Sequence, residues 1–169
     1  YTPDTITFNS SNKDFLLGSD NKWSKNKNLY SLYQKAYTPW SWYPKLKKLC
    51  DKKKLFFFPS VFDSTSVDFA IKHKADTIKI ASPEIKNIPL LKKVVKSKLP
   101  IIISTGDTNK KIIKNVINNL KINSYHKVAF LHCTSEYPCS LKNANLLNLI
   151  NLRKMINNKI SIGYSDHTA

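Results

Sequence analysis

Ile78-Lys79-Ile80-Ala81-Ser82-Pro83-Glu84 passes from an apolar run into a cluster of polar, reactive side chains, and the arrangement recurs along the chain. Ile101-Ile102-Ile103 runs into Ser104-Thr105-Gly106. Val128-Ala129-Phe130-Leu131 runs into His132-Cys133-Thr134-Ser135-Glu136-Tyr137-Pro138, and Ile160-Ser161-Ile162-Gly163-Tyr164 into Ser165-Asp166-His167-Thr168. Runs this continuously apolar read as strands buried on both faces, as in a parallel sheet. Strands that all carry chemistry at their carboxyl ends converge on one pocket, in a (β/α) barrel or an open doubly wound sheet.

Strand-like runs centre on residues 55–58, 77–80, 100–103, 127–131 and 160–163, and amphipathic helical stretches fill 64–74, 88–98 and 109–120. In the last of these Ile112, Ile113, Val116, Ile117 and Leu120 fall at helical spacing. Near-continuous apolar strands alternating with helices predict an α/β fold with right-handed crossovers. Residues 1–54 differ, being polar and rich in Asn, Ser and Lys, with Trp23, Tyr30, Tyr33, Tyr37, Trp40, Trp42 and Tyr43 among them. They read as an elaborated loop followed by a helix over 40–53, with Thr38 as its cap and Pro39 at its first position.

The formal charge of +17 invites a nucleic-acid reading, but Arg153 is the only arginine among 28 basic residues. Nucleic-acid interfaces lean on arginine for bidentate phosphate and base contacts. The lysines are scattered over helices and turns and describe a solvated basic surface, so no nucleic-acid partner is expected. Cys50, Cys133 and Cys139 show no metal-binding or disulfide spacing, which fits a reducing cytoplasm; Cys133, directly after a strand, reads as a small buried packing residue. No run approaches the roughly 20 apolar residues that span a bilayer, so no membrane partner is expected. With no Met at position 1 and a last strand tip that should lead into a helix, the chain reads as a piece of a longer one.

The ordered set Tyr1-Thr2-Pro3-Asp4-Thr5-Ile6-Thr7, Thr38-Pro39-Trp40-Ser41-Trp42, Phe62-Asp63, Lys79-Ile80-Ala81-Ser82 with Glu84, Ser104-Thr105-Gly106, His132-Cys133-Thr134-Ser135 with Tyr137-Pro138, and Ser165-Asp166-His167-Thr168 resembles the sialic acid synthases, above all their pseudaminic acid synthase branch. The resemblance implies a partial TIM (β/α)8 barrel, about strands three to seven with their helices plus the loop region after strand two. Residues 1–54 would be the insertion after strand two and 55–169 the β/α units, without the small C-terminal antifreeze-like domain. The implied reaction is condensation of phosphoenolpyruvate with an open-chain amino sugar, of the 2,4-diacetamido-trideoxyhexose or N-acetylmannosamine type, to a nonulosonic acid and phosphate. The parent enzyme would be a homodimer using a divalent metal, manganese or magnesium. Two other classes share features of the sequence: another phosphoenolpyruvate or pyruvate barrel aldolase, and a nonenzymatic basic binding module.

By the same resemblance Lys79 and Ser82 contact phosphoenolpyruvate, and Ser60, Ser104, Ser135 and Ser165 occupy further substrate positions. Tyr137 contacts the sugar. His167 is a metal ligand whose partner histidine lies beyond the last residue of the chain. Asp166 would orient His167 or bridge to metal-bound water, and Glu84 would hydrogen-bond the sugar or that water. On chemical grounds Lys79 offers a desolvated point charge at a strand end, and Ser104-Thr105-Gly106 offers hydroxyl and backbone N–H groups to an anion. At the start of the helix after Gly106, Lys110 and Lys111 stand against the helix dipole.

Overall fold

The computed structural model describes residues 1–20, 23–106, 108–121 and 127–168. Two compact units, Tyr1–Lys54 and Leu55–Ala169, divide the chain. The first holds α1 (Pro3–Ile6), α2 (Leu29–Ala36) and α3 (Tyr43–Lys52). Its order is local: Asn28 accepts from the Ser31 N–H to cap α2, the Tyr30 hydroxyl reaches Asp4 Oδ1 at 2.7 Å, and the rings of Tyr1 and Tyr33 meet edge-on at 5.6 Å. Among its described residues only Pro3 and Tyr43 are buried.

The expected helix over 40–53 is shorter. Trp40–Trp42 winds into a 3-10 turn, and α3 begins at Tyr43 with a proline in its first turn. Pro44 lacks an N–H and needs no intrahelical acceptor there, so it fits the first turn of an α-helix that starts at Tyr43.

The second unit alternates β1 (Ser60–Val61), α4 (Ser64–Lys72), β2 (Ile78–Ile80), α5 (Ile88–Lys96), β3 (Ile101–Ser104), α6 (Lys110–Asn119), β4 (Val128–His132), α7 (Asn148–Met155) and β5 (Ser161–Tyr164). The strands form one sheet in the order β1-β2-β3-β4-β5, every pair parallel. Sequential order is what right-handed crossovers produce when every helix lies on the same face of the sheet. Three of the helices begin on a side-chain oxygen: Asp63 receives the Ser66 N–H, Asn87 the Leu90 N–H, and Asn109 the Ile112 N–H. These caps satisfy donors that the first turn leaves open.

The edge strand departs from the expectation. Leu55 to Phe58 is apolar but lies outside the ladder, with Phe56 84% exposed, and β1 is the pair Ser60–Val61 just after it. The Phe57 N–H goes to Asp76 Oδ2 rather than to a strand. At the edge of the sheet only one neighbour, β2, fixes the register, and it takes Ser60 and Val61.

The two faces of the sheet differ. Ile78, Ile80, Ile101, Ile103, Val128 and Phe130 are buried, together with Val67, Ala70, Leu91, Val94, Val116 and Leu152 from the helices. Pairing sets Ser60, Lys79, Ile102, Ala129 and Ser161 in one row across the other face, because residues in register on parallel strands point the same way. In the next row Leu131 faces Gly163, where an added Cβ would sit 2.9 Å from Leu131 Cδ2. Among the described residues no helix is long and apolar enough to cross a membrane.

Candidate functional site

The carboxyl ends of β2, β3 and β4 meet at Gly106. Ser82, in the 3-10 turn Ser82–Lys86 after β2, accepts the Gly106 N–H at its Oγ at 2.9 Å and lies 3.1 Å from Cys133 Sγ. A Cβ built on Gly106 would meet Ser135 Oγ at 2.6 Å, Ser82 Oγ at 2.8 Å and Cys133 Sγ at 3.0 Å. Glycine is therefore the residue that lets these three side chains close over its Cα. Ser82 and Cys133 are buried, while Ser135 is exposed at the rim.

The strand-end motif works differently from the expectation. The Thr105 N–H and Oγ1 both go to the Leu131 carbonyl, and the Gly106 N–H goes to Ser82. Those two N–H groups are spent on holding β3 to its neighbours, so hydroxyls present the polar face. Ser104 ends β3, buried.

A second cluster forms where β4 and β5 end. His167 Nδ1 lies 2.6 Å from the Thr134 carbonyl oxygen, and Nε2 lies 3.1 Å from the Tyr137 hydroxyl and 3.4 Å from Ser165 Oγ. A carbonyl only accepts, so Nδ1 carries the proton and a neutral His167 keeps its lone pair on Nε2. The Tyr137 ring stacks on the imidazole at 4.0 Å. The segment is pinned by the Cys139 N–H to the His167 carbonyl at 2.7 Å and the Ser165 N–H to the His132 carbonyl at 2.8 Å. Desolvation pushes the Tyr137 phenol above its ordinary range, a small effect since the side chain is 73% exposed.

Orientation of His167 thus falls to the Thr134 carbonyl and not to Asp166. The Asp166 carboxylate instead accepts the Thr168 N–H at 2.9 Å, the Thr168 hydroxyl at 2.8 Å and the Tyr164 hydroxyl at 3.3 Å. The Thr168 N–H is the largest of the causes that hold its carboxyl below the usual range. Asp166 therefore fixes the turn that carries His167.

Lys79 is half-buried in the middle of β2, beside Ser60 on β1. Its ammonium has no hydrogen-bond or ion-pair partner among the described residues. The Glu84 carboxylate accepts from Asn87 Nδ2 at 3.2 Å within its own turn. His132 faces the helices: Nε2 donates to the Ala144 carbonyl at 2.9 Å, and the ring stacks on Tyr164 at 5.9 Å. It borders a cleft of about 400 Å³ together with Thr105, Asn109, Lys110, Thr134 and Asn148.

The structure thus joins Ser82 with Ser135, and Tyr137 with Ser165 and His167, through the single segment that follows β4. Sequence reasoning missed two members. The Thr134 carbonyl is backbone and leaves no mark on residue type. Cys133 is buried as expected, but its contact with Ser82, 51 positions away, has no local signal. Among the described residues no three His, Cys, Asp or Glu gather as a metal cluster, so His167 stands as one imidazole flanked by two hydroxyls.

A model of the NeuB family matches residues 1–169. Pseudaminic acid synthases of Helicobacter pylori and Campylobacter jejuni are 34% and 32% identical to the chain, each over 168 residues that make up 99% of it and 48% of the relative. The crystal structure of the N-acetylneuraminic acid (sialic acid) synthetase of Leptospira borgpetersenii, in complex with citrate, matches with a TM-score of 0.76 at 29% identity over 89% of this chain and 50% of that one. The chain spans about half the length of the curated relatives it matches. Five consecutive parallel strands with a match of this extent make the fold a partial (β/α)8 barrel. With the family model running over every residue and these relatives aligned over nearly all of it, the chain belongs to the NeuB family.

Proposed function

We propose that this chain carries the phosphoenolpyruvate-binding part of a nonulosonic acid synthase, which joins phosphoenolpyruvate to the open-chain aldehyde of an acetamido sugar. The observation that carries the reading is the cluster of Ser82, Cys133 and Ser135 packed on Gly106, at the carboxyl ends of the strands whose open face bears Lys79, an ammonium without a partner among the described residues. An anion placed there gains a desolvated ammonium and hydroxyl donors, and a charge-assisted hydrogen bond of this kind is worth about 1.5–3 kcal/mol. Ser60 begins β1 beside Lys79, Ser104 ends β3 and Ser165 follows β5, and in this reading they are further substrate contacts.

The reaction balances as follows. C3 of the enol forms a bond to the aldehyde carbon, and the aldehyde oxygen takes up a proton. Water adds at C2 and gives up a proton, and the bond from C2 to the phosphate oxygen breaks to release inorganic phosphate. His167 Nε2, whose lone pair is set by the Nδ1 proton on the Thr134 carbonyl and faces the Tyr137 and Ser165 hydroxyls, would exchange those contacts for a divalent cation of the manganese or magnesium type, with water and substrate oxygens as its other ligands. When bound, that ion supplies Lewis-acid polarisation of the aldehyde. The Tyr137 hydroxyl lines the sugar side, Glu84 is positioned to hydrogen-bond sugar or water, and Asp166 holds the turn beneath His167. The protein acts in this reading as a cytoplasmic homodimer.

The test is phosphate release by the parent enzyme that contains this chain, supplied with phosphoenolpyruvate, a diacetamido-trideoxyhexose or N-acetylmannosamine, and manganese, with each omitted in turn. Release is expected only when all three are present. His167→Ala should also lose binding of manganese followed by the electron paramagnetic resonance signal of the free ion. Turnover without metal, or unchanged manganese binding by the variant, would refute the role of His167.

A further inference from the structure

Ser82 Oγ has two lone pairs and one hydrogen to place. The Gly106 N–H occupies one lone pair at 2.9 Å. Cys133 Sγ stands 3.1 Å away on another side, and both side chains are buried, at 7% and 4% exposure. Bulk water is therefore a poor competitor for either group, and the direction of the bond between them decides what Ser82 can offer a ligand. If the Ser82 hydroxyl donates to sulfur, a weak acceptor, it offers a ligand nothing. If the Cys133 thiol donates to Ser82 Oγ, both lone pairs are filled and the hydroxyl hydrogen is left over.

We propose that Cys133 is a positioning residue: its S–H and the Gly106 N–H together make Ser82 an obligate hydrogen-bond donor to an oxygen of the bound anion. The inference rests on the reading of the cluster around Gly106 as part of the phosphoenolpyruvate site. A bound anion draws the Ser82 hydroxyl hydrogen toward itself, since a charged acceptor is stronger than a thiol sulfur. The thiol hydrogen, no longer facing a donor, then turns to the open lone pair of Ser82 Oγ. The neighbouring segment keeps the geometry narrow, because Ser135 and Cys133 both converge on the space above Gly106. Cys133 needs no reactivity for this.

Two measurements test it. The first is the infrared S–H stretching band of the unsubstituted protein, assigned to Cys133 by its loss in Cys133→Ser. Addition of phosphoenolpyruvate should move the band to lower frequency, and a band that does not move overturns the proposal. The second is a double-mutant cycle read as KM for phosphoenolpyruvate. Cys133→Ala should raise KM about threefold to tenfold, the range of one neutral hydrogen bond, Cys133→Ser should restore it by keeping a donor, and Cys133→Ala should add nothing on the Ser82→Ala background. An equal rise on both backgrounds would make Cys133 a packing residue only. Failure of the unsubstituted protein to bind phosphoenolpyruvate would overturn the site reading and the inference together, whereas binding without coupling between residues 82 and 133 would overturn the inference alone.

Discussion

On one face of the sheet Ile78, Ile80, Ile101, Ile103 and Phe130 are sealed to 2% exposure or less, while on the other the row Ser60, Lys79, Ile102, Ala129 and Ser161 stays open or half-buried. The strands are shared, and alternate residues of the same strand serve both faces. The sealed face holds apolar side chains at packing density and carries the stability. The open face holds an unpaired ammonium, a charge that the sealed face could not tolerate. Lys79 sits between Ile78 and Ile80, so a slip of one residue in register would bury the charge and expose both isoleucines. Stability and ligand binding are thus separable by substitution even though the residues concerned are neighbours in sequence.

The largest expected effect is on the sealed face. Phe130→Ala removes a fully buried ring and should cost about 3–5 kcal/mol of stability in urea denaturation. Loss of binding in the surviving folded fraction would show that the faces are coupled. On the open face Lys79→Ala should leave the unfolding midpoint nearly unchanged and weaken phosphoenolpyruvate binding by about 1.5–3 kcal/mol; an unaltered KM for phosphoenolpyruvate would remove Lys79 from the site.

The smallest effect lies away from both faces, at the ends of the helices. Lys54, Lys74, Lys98 and Lys121 each adopt positive φ just after a helix, the place where glycine is the usual residue. A non-glycine residue costs about 1–2 kcal/mol in this conformation, partly offset because glycine loses more chain entropy on folding. Lys98→Gly should therefore stabilise the fold by up to about 1 kcal/mol in the same denaturation measurement, with no change in binding. A destabilised Lys98→Gly variant would show that the lysine side chain earns its place through contacts or through the helix dipole.

What could be read from the sequence follows the same division. Four of the five strands were visible because Ile78 to Ile80, Ile101 to Ile103, Val128 to Leu131 and Ile160 to Gly163 concentrate apolar residues between polar tips. The fifth was displaced because Leu55 to Phe58 is equally apolar, and what excludes it is the register offered by β2, a tertiary fact. α2 and α7 were not anticipated as helices: both are short, α2 buries none of its residues and α7 only Leu152, and the i, i+3, i+4, i+7 set Leu29, Leu32, Tyr33 and Ala36 of α2 was passed over within a polar segment. In the site, residue types at the strand ends were legible, and His167, Tyr137 and Ser165 do lie together. The partners were not legible. The carbonyl of Thr134 takes the place expected of Asp166, and the N–H groups of Thr105 and Gly106 are already bonded, because backbone groups have no signature in residue identity.

The most direct test of the separation is the gain in unfolding free energy that phosphoenolpyruvate confers on the unsubstituted protein and on Lys79→Met, measured by denaturation with and without ligand. Without ligand the two proteins should unfold at the same denaturant concentration. At a ligand concentration a hundred times its Kd the unsubstituted protein should gain about 2.7 kcal/mol, and Lys79→Met should gain little at that same concentration. Equal gains in the two proteins would contradict the assignment of the open face as the binding face.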